Sequence, residues 1–457
     1  MKDVTAGWVA EAAGGRLVAG DAEVPGPARA VIDSRSAGEG DLFVGLRGAN
    51  VDGGDYGGQA LAAGAWGVLV SEDAVSGDVF KVEHPLGAEH RTRPVVAAAD
   101  PLVALARLAR AWRRELACPV VGITGSTGKT TTKDILKALL APSLPRTVAN
   151  AENLNTEIGL PLTVLAAERG TDALVLEMAM RGAGQIAELT AIAEPDVGVI
   201  VNVGPVHLEL LGTIENVAAA KAELIRDLRA GASCVVPAGE PLLAPHLRGD
   251  VDTIAFGDGG DVSLIAFEDG VARIDARGRE VVLELPYSEP HNVENTVAAV
   301  AAAIALGVTP GGRVDVRFSS LRGEVVELGG GVTVVNDCYN ANPMSMRAAL
   351  EHLAASPAER RIAVLGTMAE LGPDGERYHR EVGRRADELG VDVLITVGEP
   401  AVPYGDEFGG QRYPVGTPEE AGELLEELAQ PGDRVLVKGS RSVGLERVIG
   451  EPAGNSA

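Results

Sequence analysis

Residues 120–140 constrain this chain more than any other stretch. The apolar run 120–123 reads as a buried strand, and Thr124-Gly125-Ser126-Thr127-Gly128-Lys129-Thr130-Thr131 follows it. A helix is predicted from 130 to 140. A strand, a glycine loop and a helix in that order form a seat for phosphate. Gly125 and Gly128 let the backbone turn N–H groups inward, and the helix N-terminus adds partial positive charge. Lys129 is placed to reach β- and γ-phosphates, and the Thr130 hydroxyl to ligate Mg²⁺. Ile123 stands at the first glycine position of the usual pattern, with Gly122 one residue earlier. Loop residues 125–131 are therefore assigned to a nucleotide.

The rhythm around the loop sets the fold class. Strands are predicted at 173–176, 197–201 and 234–236, separated by helices at 185–192 and 216–229; a helix at 101–116 precedes them. Such alternation implies a parallel sheet with helices on both faces. Residues 251–287 carry several β-like runs, and 293–306 resumes as an Ala-rich helix. From about Arg313 the theme repeats on a smaller, Rossmann-like scale. Strands are predicted there at 332–335, 362–365, 393–397 and 434–437, with helices near 344–353, 378–389 and 418–428. Before Ala99, strands at 41–46 and 67–70 flank a short helix at 57–64, and 84–94 reads as surface loop. The expectation is an α/β protein of three domains, 1–99, 100–312 and 313–457, the middle one a P-loop parallel-sheet ATPase domain. Residues 452–457 are expected to fray.

Charge and composition exclude other classes. With 40 Lys and Arg against 65 Asp and Glu, the formal charge is −25, which disfavours wrapping a nucleic-acid backbone. A small anion held by backbone amides and one lysine remains compatible with it. Cys118, Cys234 and Cys338 are far apart and show no zinc spacing, which suits a reducing, cytoplasmic compartment. The apolar run 297–306 is about half a membrane span. The opening residues lack a secretory pattern, and neither a membrane span nor a nucleic-acid partner is expected.

Polar residues follow the central strands. Glu177 ends one, and the segment 202–207, with His207, follows another, at the sheet edge where ligands bind in open α/β folds. Taken alone, such a Glu is more often a cap and such a His structural; Lys221, between two alanines, reads as snorkelling.

Together, these residues resemble a known family. The runs beginning Gly125-Ser-Thr-Gly-Lys-Thr-Thr, Asn153-Leu-Asn-Thr-Glu, Asn202-Val-Gly-Pro-Val-His, His291-Asn-Val-Glu-Asn, Arg322-Gly-Glu, Asn336-Asp-Cys-Tyr-Asn-Ala-Asn-Pro and Lys438-Gly-Ser-Arg resemble the Mur ligases, in family order. These are ATP-dependent amide-bond-forming enzymes of peptidoglycan precursor synthesis. The Asn336 run together with Met368-Ala-Glu-Leu-Gly is similar to the branch that joins D-alanyl-D-alanine to UDP-N-acetylmuramoyl-tripeptide.

The resemblance implies roles by position. Lys129 would contact the nucleotide phosphates. Thr130 and Glu177 would hold one Mg²⁺, and His207 would serve a second. Lys221 matches a lysine that is carbamylated, which turns a cation into a carboxylate-like ligand. His291 and Asn295 would pack around adenine, and Arg322 and Asp337 would reach back to phosphates and ribose. Asn153, Asn155 and Thr156 would meet the acyl substrate, and Ser34 and Arg35 the uridine nucleotide. Gly54 stands where the family often has His. A cytoplasmic monomer is expected. The alternatives are another amide ligase of the superfamily, folylpolyglutamate-type or single-amino-acid-adding, and a P-loop switch.

Overall fold

The computed structural model describes residues 1–76, 93–151, 153–319, 323–328 and 330–449. The segment 84–94, expected as a loop, falls almost wholly outside the described residues, as does the tail 452–457. Three sheets organise the rest.

The first has five strands in the order Arg16–Ala19, Val95–Ala98, Gly67–Ser71, Asp41–Val44, Arg29–Val31. All neighbours are parallel except the first pair. The second has ten strands, and its parallel part runs Thr147–Ala149, Ala173–Glu177, Val120–Thr124, Val197–Ile200, Ser233–Pro237, Asp252–Phe256. Strand Val262–Glu268 continues it and begins an antiparallel meander through Val271–Ala276 and Arg279–Glu284. The third sheet has six strands, in the order Glu324–Leu328, Val332–Asn336, Asp433–Lys438, Arg360–Gly366, Val393–Val397, Gln411–Val415. Only its Glu324–Leu328 edge is antiparallel.

Helix Pro101–Leu116 is built as its sequence requires. Asp100 accepts from the Leu102 N–H at 2.8 Å, Pro101 occupies the first turn, and Ala117 ends the helix in the left-handed region. Its apolar face serves two domains at once. Leu105, Leu108 and Trp112 lie in one core with Val9 and Ala10 of the first domain and with Leu160 and Leu189 of the second. Trp112 meets Trp8 edge to face at 6.3 Å. The boundary at residue 99 is therefore a change of sheet and no break in packing.

The apolar run 297–306 lies in helix Pro290–Ala305, where Ala298 to Ala303 are fully buried. No helix among the described residues is long and apolar enough to cross a membrane.

Register sets the functional edge. Ile123 pairs with Glu177 and Thr124 with Ile200, so the phosphate loop, Glu177 and the segment after Ile200 leave the sheet side by side.

Candidate active site

The loop 125–128 is narrow because its neighbours press on it. Gly128 has φ +73°, and a Cβ there would stand 2.5 Å from the Asn295 Oδ1. Gly125 does not adopt a positive φ; it is needed for space, since its Cβ would approach the Val201 Cβ to 3.0 Å. Only Gly128 needs the conformational freedom expected of both.

Asn202 braces the loop. Its Oδ1 accepts from the Ser126 and Thr127 amides at 3.0 and 2.9 Å, and its Nδ2 donates to the Thr127 hydroxyl at 2.9 Å. Two of the amides expected to face a phosphate are thus engaged by Asn202. The first turn of helix Lys129–Leu140 has no side-chain cap, which suits its N–H groups to an anion. Lys129 folds back, its Nζ donating to the Gly125 carbonyl at 2.9 Å.

Thr130 and Glu177 meet as expected. The Thr130 hydroxyl donates to the Glu177 Oε2 at 2.7 Å, and the other carboxylate oxygen accepts from the Asn155 Nδ2 at 2.8 Å. Asn150 grips the Glu177 backbone on both sides, accepting from its N–H and donating to its carbonyl, while Lys133 donates to the Asn150 carbonyl. Asn155, expected to meet the acyl substrate, is turned onto Glu177. Asn153 and Thr156 are exposed at the mouth of the same loop.

The residues present suit a hard cation. Glu177 is a carboxylate buried to 2 % exposure whose hydrogen bonds come from neutral donors, and Thr130 sets a second oxygen beside it. His207 does not join this pair; its Nδ1 is bonded to Glu370 of the third domain. Among the described residues no cluster of three His, Cys, Asp or Glu side chains forms a metal cage.

Lys221 is no snorkelling lysine. It is 1 % exposed, and burial, reinforced by the charge of Lys129, pushes its pKa well below the ordinary lysine range. His207 is held below its ordinary pKa by burial, with Glu370 opposing and Lys221 and Lys129 adding to the depression.

Beside the loop, a cavity of about 430 Å³ opens between the second and third domains, within the range of small-molecule pockets. Thr127, Gly128, Thr131, His291 and Asn295 line one side; Asp337, Lys438 and His352 line the other. Tyr287 and Phe318, with centroids 5.3 Å apart, add an aromatic wall. Asp337 is paired with the buried Lys438 at 2.6 Å. Burial lowers the pKa of His291.

One expected site lies apart from this cavity. Ser34 and Arg35 sit on a turn of the first domain, where the exposed Arg35 binds its neighbour Asp33 at 2.8 Å. Arg322 lies outside the described residues. At Gly54, a Cβ would stand 2.7 Å from the Ala74 Cβ, so packing holds the position to glycine.

Asn150, Asn202, Tyr287, Phe318, Glu370 and Lys438 were not singled out as site residues by sequence reasoning. Asn202 had the strongest signal, being the first polar residue after a buried strand.

Three family models match: Mur ligase family, catalytic domain, at residues 30–113; Mur ligase middle domain at 123–303; and Mur ligase, glutamate ligase domain at 321–441. The first crosses residue 99, as the shared core does. The UDP-N-acetylmuramoyl-tripeptide–D-alanyl-D-alanine ligase of Synechocystis is 35% identical, covering 92% of this chain and 90% of its own. That of Mycobacterium tuberculosis is 36% identical, covering 98% and 97%. Among solved structures, MurF from Acinetobacter baumannii matches with TM-score 0.84 and 28% identity over 98% of each chain. MurF ligase from Thermotoga maritima in complex with ADP matches with TM-score 0.77 and 33% identity, over 92% of this chain and 96% of its own. The chain belongs to the Mur ligase family and within it is most like the UDP-N-acetylmuramoyl-tripeptide–D-alanyl-D-alanine ligases.

Proposed function

We infer that this chain is an ATP-dependent ligase that joins D-alanyl-D-alanine to the peptide of UDP-N-acetylmuramoyl-tripeptide, giving the pentapeptide precursor of peptidoglycan. The observation that carries the reading is the cavity between domains, with a phosphate loop on one wall and the Asp337–Lys438 pair on the other. In the first step a substrate carboxylate oxygen attacks the γ-phosphorus and ADP leaves, giving an acyl phosphate. In the second the dipeptide amine attacks the acyl carbon, phosphate leaves, and the nitrogen gives up a proton.

Every reacting oxygen is anionic, so the protein's work is neutralising charge and positioning. Lys129 turns from the Gly125 carbonyl to the phosphates. The first turn of helix Lys129–Leu140 faces them, and Asn202 keeps the loop rigid. His291, Asn295, Tyr287 and Phe318 enclose the base. Asp337, with Arg322, completes the seat from the third domain. Thr130 and Glu177 would hold Mg²⁺, which when bound offsets phosphate charge.

Lys221 is proposed to carry a carbamate. Burial that disfavours the ammonium makes the neutral amine, the form that combines with CO₂, easier to reach. Asn153, Asn155 and Thr156 are assigned to the acyl substrate, and the first domain, with Ser34 and Arg35, to the uridine nucleotide. The three cysteines are all unpaired and buried, which supports a cytoplasmic setting.

The test supplies purified chain with ATP, Mg²⁺ and the tripeptide nucleotide. Phosphate release should require D-alanyl-D-alanine. Release driven by a single amino acid would move the reading to another ligase of the superfamily.

A further inference from the structure

Opposite the phosphate loop, the third domain presses one loop onto the segment that carries His207. This loop follows strand Arg360–Gly366, and its Glu370 has φ +63°; His207, just ahead of helix Leu208–Leu211, has φ +54°. Two non-glycine residues in the left-handed region therefore face each other, a strain usually kept for a purpose. One contact joins them, and two more hold Glu370 to the second domain. The Glu370 carboxylate meets the His207 Nδ1, the Glu370 carbonyl accepts from the Glu209 N–H at 3.2 Å, and the Arg181 Nε stands 3.5 Å from the same carboxylate. Gly372 packs so closely that a Cβ there would reach the Glu209 Cα at 3.2 Å.

The loop is fixed from behind. The Met368 N–H donates to the His379 Nε2 at 3.0 Å and the Ala369 N–H to the Ser440 hydroxyl at 2.9 Å; the Ser440 N–H returns to the Thr367 carbonyl at 3.0 Å. His379 in turn donates from Nδ1 to the Gly375 carbonyl at 2.6 Å and stacks edge-on against the buried Tyr404. Glu370 is thus held by a rigid part of one domain while its carboxylate works on another.

We propose that Glu370 is a positioning residue: its carboxylate fixes the His207 ring with hydrogen on Nδ1, leaving Nε2 as the ring's only lone pair, and does so only when the third domain is seated. A carboxylate accepts and does not donate, so the tautomer follows from the contact. The same support behind a histidine is what orients and strengthens ligand imidazoles generally. The consequence for catalysis rests on the ligase reading above: His207 is made ready by the closure that brings Asp337 to the nucleotide.

The experiment compares Glu370→Gln, which keeps the reach and an accepting oxygen, with Glu370→Asn, which is one methylene shorter and tolerates the left-handed backbone. In the full chain labelled with ¹⁵N-histidine, the seven histidines give few signals, and His207 is assigned by its loss in His207→Gln. Wild type and Glu370→Gln should show His207 protonated at Nδ1; Glu370→Asn should move the proton to Nε2. Turnover should fall about 10- to 100-fold in Glu370→Asn and much less in Glu370→Gln, with KM for ATP and the tripeptide nucleotide little changed. Glu370→Asn should add no further loss to His207→Gln. An unchanged tautomer in Glu370→Asn, equal losses in the two variants, or losses that multiply with those of His207→Gln would each overturn the proposal. A wild-type chain inactive with D-alanyl-D-alanine would refute the ligase reading alone, while the tautomer spectrum would still decide the role of Glu370.

Discussion

Gly128→Ala offers a direct measure of how tightly the phosphate loop is built. Two costs can be worked from the structure. The backbone at φ +73° costs a residue with a Cβ about 1–2 kcal/mol. The new methyl carbon would also stand 2.5 Å from the Asn295 Oδ1, inside the 3.0 Å that real Cβ contacts respect. Asn295 is 7 % exposed and has little room to retreat, so overpacking adds at least ~1 kcal/mol. The chain can relieve both by opening the loop, and binding must then restore it. A total of about 2–3 kcal/mol raises the Kd for ATP about 30- to 150-fold. Calorimetric titration of ATP with Mg²⁺ measures this directly. Gly249→Ala serves as control, because its Cβ would meet nothing within 4 Å. Affinity within about threefold of wild type in Gly128→Ala, or equal losses in both variants, would refute the account of the loop.

Other outcomes are expected. Lys129→Ala should abolish turnover while the chain stays folded; retained phosphate release would remove Lys129 from the phosphate seat. Lys221→Ala should lose activity and regain part of it with added short carboxylates, whereas an unimpaired variant would end the carbamate assignment. Asp337→Ala should lower thermal stability by about 1.5–3 kcal/mol, because Lys438, 2 % exposed, would lose its carboxylate partner and keep the Asn340 carbonyl at 2.9 Å; an unchanged melting curve would show that the pair contributes nothing. His379 has its pKa lowered by burial, so the folded state resists a proton that the unfolded chain accepts below about pH 6.5. Stability should therefore decline as pH falls below that value, with His379→Gln flattening part of the slope in chemical denaturation; an identical slope in the variant would refute it.

The strands and helices that position the site could be read from the sequence because each is long, apolar and cleanly bounded. Helix Pro101–Leu116 and strand Val393–Val397 lie at their expected limits. Helices Pro290–Ala305 and Pro343–Ala355 begin ahead of their apolar pattern, because a proline in the first turn, favourable there, reads from sequence as a break. Strands Arg16–Ala19, Arg29–Val31 and Gln411–Val415 were not legible, being short and partly exposed, the last with Pro414 inside it. At the site, the Thr130–Glu177 pair follows from strand order alone, whereas the bond between His207 and Glu370 spans 163 residues and depends on how two domains meet. Lys221 misled for a similar reason: local spacing does not reveal that other elements cover it on every side.

Helix Pro101–Leu116 sets where the chain can be cut. Expressing residues 100–457 on their own would strip Trp112 of Trp8 and leave a greasy scar where the first domain had lain, so that fragment should clump. The first two domains share a single core for the same reason. At the other boundary, Ser319 hangs from the Asp134 carboxylate by its amide and its hydroxyl, at 3.1 and 3.0 Å.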